Sequence, residues 1–77
     1  MTIEVKFFAS LREQIGRSEA RLDASEPLCV AEVWAQATGN AELPVNVLMA
    51  RNMEYVDSAT PVRDGDEVAF FPPVTGG

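Results

Sequence analysis

Along residues 2–8 the side chains alternate in parity: Ile3, Val5 and Phe7 fall on one face, and Thr2, Glu4 and Lys6 on the other. A period of two over that length predicts a half-buried strand. Ser10-Leu11-Arg12-Glu13 then has the form of a capping box, with Ser10 as N-cap and Glu13 reaching back. Leu11 and Ile15 share a face of this short helix, and Gly16 ends it. Residues 17–23 are polar with Ala20 and Leu22 alternating, which predicts a second strand paired with the first; its charges suit a sheet edge. Pro27 opens a second helix over 27–38, closed by Gly39. Val30, Val33, Trp34 and Ala37 fall at i, i+3, i+4 and i+7 and give it one apolar face. Cys29 followed by Glu32 occupies the place of a capping box, although cysteine caps poorly. Residues 40–44 read as loop, 45–51 as strand, Asn52-Met53 as a turn and 54–56 as a short strand. The stretch 61–65 ends in the turn signal Asp64-Gly65. Residues 66–71 form the last strand, with Val68 and Phe70 on one face and Ala69 and Phe71 on the other.

One good amphipathic helix among short strands predicts an α+β fold, a mixed sheet of about five strands with that helix packed across one face. The order fits a roll of ubiquitin type, in which the first and last strands lie side by side in the middle of the sheet. No repeat or linker divides residues 1–77, so they read as one domain, with 72–77 as a projecting tail. Proline donates no ladder hydrogen bond, so pairing ends at Pro72-Pro73 and the tail departs in extended form. Val74 and Thr75 carry modest side chains, and Gly76-Gly77 makes a narrow tip.

Composition removes most chemistry. Twelve acidic against six basic side chains, a formal charge of −6, disfavour nucleic acid and anionic membranes and fit basic protein partners. The start lacks a basic region before an apolar stretch, and no run is long enough for a membrane span, so a cytoplasmic location is expected. Histidine is absent, and with it the commonest general base and metal ligand. Cys29 is the single cysteine and reads as a small half-buried hydrophobe. Ser10, Ser18, Ser25 and Ser58 lack a base to activate them. Asp64 and Asp66 flank a glycine and read as turn punctuation, and Arg12 and Glu13 as surface charge.

Apolar surface remains. Phe8 and Phe71 have the opposite parity to their core-facing neighbours Phe7 and Phe70. If the first and last strands are neighbours, Phe8 and Phe71 stand together on the exposed face, where Tyr55 can join them. An exposed aromatic patch on a small acidic domain marks a binding site. With a narrow arm beside it, the layout is that of a carrier: the patch is held by a partner while the Gly77 carboxylate enters the partner's active site.

The run from Asp64 through Phe70-Phe71-Pro72-Pro73-Val74-Thr75-Gly76-Gly77, with Phe7-Phe8-Ala9 before Leu11-Arg12-Glu13, resembles the small-subunit family of molybdopterin synthases. The resemblance spans the chain and implies a ubiquitin-like β-grasp fold and a sulfur-carrier role without enzymatic activity of its own. It implies that Gly77, at the end of the Gly76-Gly77 pair, is adenylated by a ubiquitin-activating-type enzyme using ATP. The acyl-adenylate is then converted to a thiocarboxylate with sulfur from a donor protein. Inside the large synthase subunit, that sulfur passes to cyclic pyranopterin monophosphate to build the dithiolene, in an assembly of two large and two small subunits. No stably bound cofactor is implied. Phe8, Tyr55 and Phe71 carry over as the hydrophobic dock, with Pro73, Val74 and Thr75 as further partner-binding positions. The family commonly has a capping threonine where this chain has Cys29. Alternative readings with the same tail are a sulfur carrier for thiazole or another product, and a ubiquitin-like protein modifier joined through Gly77. A plain interaction domain would not need the tail at all.

Overall fold

The computed structural model describes residues 1–40, 42–44 and 46–73. Ala41, Val45, Val74, Thr75, Gly76 and Gly77, which the readings above include, lie outside the described residues. The elements in order are β1 (Thr2–Phe7), α1 (Ser10–Ile15), β2 (Glu19–Asp23), β3 (Leu28–Cys29), α2 (Val30–Thr38), β4 (Leu48–Arg51), β5 (Glu54–Val56), β6 (Pro61–Val62) and β7 (Glu67–Phe71). Five strands form one mixed sheet in the order β2-β1-β7-β4-β5, and β3 and β6 make a separate two-stranded ladder. The first and last strands are the parallel pair at the centre, with Val5 opposite Val68 and Phe7 opposite Phe70. β2 is an edge strand, antiparallel to β1, as its charges required.

The alternation in β1 translates directly into burial. Ile3, Val5 and Phe7 point into the core with Val68 and Phe70 of β7, and α2 closes over them with Val30, Val33 and Trp34. Trp34 sets its ring edge-on to both Phe7 (6.1 Å, 77°) and Phe70 (5.0 Å, 73°), the geometry that aromatic quadrupoles favour. Its indole N–H donates to the Glu42 carbonyl at 3.2 Å, so burying the ring leaves no donor unpaired. This is the ubiquitin-like β-grasp arrangement. Among the described residues, no helix is long and apolar enough to cross a membrane.

Two local expectations need correction. The α1 N-cap is Ala9, not Ser10, and no side chain caps the helix. Ala9 takes φ 53° and ψ −130°, and the Leu11 N–H donates to the Phe8 carbonyl at 3.2 Å. That tight turn starts the helix one residue early, which puts the Ser10 hydroxyl past the capping position and Glu13 one step beyond its reach. Likewise, Pro27 does not open α2. Leu28 and Cys29 remain extended to pair with Val62 and Pro61, because Leu28 and Val62 are buried against the core. The first two N–H groups of α2, on Val30 and Ala31, then donate to the carbonyls of Thr60 and Ser58, both at 3.0 Å. Cys29 is the N-cap, and its N–H donates to Glu32 Oε1 at 3.0 Å. That bond first, and the Cys29 thiol second, hold the Glu32 carboxyl below its ordinary value. The expected turn at Asp64-Gly65 is present, with Gly65 at φ +85°, and the short strand β6 precedes it.

Strand ends move by a few residues at most. β2 begins at Glu19 rather than Arg17, β7 at Glu67 rather than Asp66, and β1 ends at Phe7 although the Phe8 N–H still donates to the Phe70 carbonyl at 3.1 Å. β4 begins at Leu48, and the buried Val47 instead closes a turn with its N–H on the Pro44 carbonyl, 3.2 Å away.

The acidic pair near Gly65 is structural. Asp64 Oδ1 accepts the Thr2 N–H at 2.7 Å, tying the turn to the start of β1. Asp66 accepts from the Arg63 N–H at 2.8 Å and from the Asn52 amide at 2.9 Å. Burial raises the Asp66 carboxyl, but these two bonds and the charges of Arg51 and Arg63 outweigh it and hold it below its ordinary value. Its contribution is therefore complete above the unfolded carboxylate value, near pH 4, and is lost as pH falls through the lower folded value. We expect Asp66→Asn to be about 1 kcal/mol less stable than the wild type near neutral pH and to lose less on acidification. Urea unfolding of the two proteins across the acid range checks both parts; parallel pH profiles would refute the linkage.

Candidate functional site

The outward face of the sheet divides into a charged half and an apolar half. On the charged half, Glu4 lies opposite Glu67 across the parallel β1–β7 pair, a like-charge contact. It is relieved by Arg21 on Glu4 at 3.2 Å and Lys6 on Glu67 at 3.4 Å. These are exposed pairs that fix side chains more than they add stability.

The apolar half carries the three aromatics. Phe8 and Phe71 stack face to face, with ring centroids 4.8 Å apart and planes within 6°. Tyr55 meets Phe71 at 6.3 Å and 61°. The cause is register. Phe7 pairs with Phe70, so the next residue on each of the parallel strands turns out of the sheet at the same level. Tyr55 stands opposite Ala50, which in turn stands opposite Ala69. The two alanine methyls floor a groove of about 290 Å³ walled by Phe8, Tyr55, Phe71 and Met53. Phe8 and Tyr55 remain 42% and 74% exposed, an unusual cost for rings on a small domain.

Sequence reasoning placed Phe8, Tyr55 and Phe71, and the structure brings them together. It missed Met53, which is 90% exposed at the groove's edge, and the alanine floor. The available signal was two alanines at outward positions of strands otherwise rich in large residues. Pro73 lies apart from the stack, beside Pro72 along a second groove with Leu11 and Asn46. Cys29 is half-buried at the start of α2, which packs on the opposite side of the sheet. Stacked rings, a methyl floor and a charged rim make a surface suited to holding another protein.

Residues 5–77 match the family model described as the ThiS family. The chain is 40% identical over 84 residues to the molybdopterin synthase sulfur carrier subunit of Escherichia coli strain K12, covering 97% of this chain and 99% of that one. It is 32% identical over 92 residues to small archaeal modifier protein 3 of Haloferax volcanii, covering all of both. Among solved structures, SAMP1 from Haloferax volcanii superposes with a TM-score of 0.81 at 29% identity over the full length of both chains. A chain from the complex of subunits 1 and 2 of the molybdopterin-converting factor of Helicobacter pylori 26695 gives 0.68 at 28% identity, again over both full lengths. With its β-grasp sheet and a family match covering nearly every residue, the chain belongs to the ThiS family.

Proposed function

We propose that the protein is the sulfur-carrier subunit of a molybdopterin synthase, acting in the cytoplasm and not as an enzyme on its own. The observation that carries this reading is the 40% identity, over almost the whole of both chains, to a molybdopterin synthase sulfur carrier subunit. The related complex of two converting-factor subunits supports a large-subunit partner, held at the Phe8, Tyr55 and Phe71 dock. Residues 1–71 serve as the grip and the tail 72–77, through Pro72, Pro73, Val74, Thr75 and Gly76, as the arm. The Gly77 carboxylate attacks the α-phosphorus of ATP in an adenylating enzyme and displaces pyrophosphate. Sulfide-level sulfur supplied by a donor then attacks the acyl carbon and displaces AMP, leaving a thiocarboxylate. In the large subunit, the sulfur passes to cyclic pyranopterin monophosphate toward the dithiolene. A carboxylate is a poor acyl donor and adenylation supplies the leaving group, so none of the steps asks this chain for a general base.

Incubation with the adenylating enzyme, ATP and a sulfur donor should exchange one oxygen of the C-terminal carboxylate for sulfur, read by intact-mass spectrometry. An unchanged mass, under conditions where an authentic carrier reacts, would end the proposal. The likeness to small archaeal modifier protein 3 and to SAMP1 favours a second reading, conjugation to protein lysines through Gly77. A ladder of conjugates on denaturing gels would support it.

A further inference from the structure

The β4–β5 hairpin turns on Asn52 and Met53, both at left-handed backbone angles (φ 50° and 71°). A two-residue hairpin loop of this kind favours glycine at its second position, because a side chain there strains the backbone. Asn52 has a reason to be present: its side chain accepts from the Glu67 N–H at 3.0 Å and donates to Asp66 at 2.9 Å. Met53 has none inside the domain. Its side chain is 90% exposed, so it contributes almost no burial in return for its backbone angle. It stands, however, on the wall of the groove that holds Phe8, Tyr55 and Phe71. Ala9, another non-glycine residue at positive φ, directly follows Phe8, so strained backbone borders the dock on two sides.

We propose that Met53 is a partner-binding residue that extends the aromatic dock and inserts its thioether into an apolar recess of the large synthase subunit. The inference rests on the carrier reading above. The occupant is argued from continuity with the aromatic stack and from the complex of the two subunits solved for a 28% identical relative. Glu67, which also lines the groove, is already paired with Lys6 at 3.4 Å, so the recess that fits Met53 is apolar. An unbranched, polarizable side chain suits such a recess because it adapts to the shape it meets.

The test uses the whole chain and its large subunit, with affinity by titration calorimetry and stability by thermal unfolding. Met53→Gly should hold or raise the melting temperature, since glycine relieves the turn, yet weaken binding about tenfold. Met53→Asn, which also tolerates the left-handed angle, should weaken binding similarly. Met53→Leu should stay within about threefold of the wild type. Wild-type affinity in both the glycine and asparagine variants would overturn the inference, as would a melting temperature lowered by Met53→Gly. Phe71→Ala, run in parallel, separates the two levels. If it weakens binding while the Met53 variants do not, only the role of Met53 falls; if it too binds normally, the dock reading falls.

Discussion

Phe70→Ala should leave the domain largely unfolded, while Phe71→Ala, one residue along, should leave it folded and unable to hold its partner tightly. Phe70 is fully buried between Phe7 and Trp34, so truncation removes the centre of the aromatic cluster and opens a cavity. Such a change costs about 3–5 kcal/mol. A chain of 77 residues has a total stability of about 4–12 kcal/mol, so the loss is a large share of what is available. Phe71 faces the other way and packs on Phe8 and Tyr55 at the surface. Its truncation should weaken large-subunit binding by about 2 kcal/mol or more, roughly thirtyfold in Kd, with little change in urea midpoint. Circular dichroism and titration calorimetry on the two variants decide it. An unfolded Phe71→Ala would place that ring in the core and remove the dock.

Deleting Gly77 should abolish sulfur transfer altogether while large-subunit binding through the aromatic face remains. The shortened chain still ends in a glycine carboxylate, but that carboxylate reaches about 3.5 Å less far. Displacement of a reacting group by about 1 Å already costs on the order of a hundredfold in rate, and this displacement is larger. No thiocarboxylate should form in the intact-mass assay, and no dithiolene product should appear. Full activity in the deletion variant would show that the reaction does not depend on a carboxylate at the position of Gly77.

The elements with strict periodicity were legible without a structure. The β1 alternation fixed which faces of Ile3, Val5, Phe7 and Phe8 point where, and the parity of β7 did the same for Phe70 and Phe71. Because the two strands are neighbours, those two one-dimensional patterns already contained the Phe8–Phe71 stack. What stayed hidden depended on contacts between distant segments. Leu28 and Cys29 look like a first helical turn until Pro61 and Val62 arrive to pair with them. Ser10 looks like a cap until the Phe8–Leu11 turn starts the helix from Ala9. Met53 could be recognised as a turn residue, but its place beside Tyr55 and Phe71 follows from the hairpin packing back onto the sheet.

The central parallel pair has a consequence for how the protein is made. β1 leaves a ribosome well before β7, yet each is the other's neighbour in the middle of the sheet. Contacts so distant along the chain make folding slow and late. Until residues 67–71 are free to pair, β1 lacks its inner partner and the Phe8–Phe71 stack cannot exist. A nascent or truncated chain that lacks residues 67–71 therefore cannot present the stacked rings.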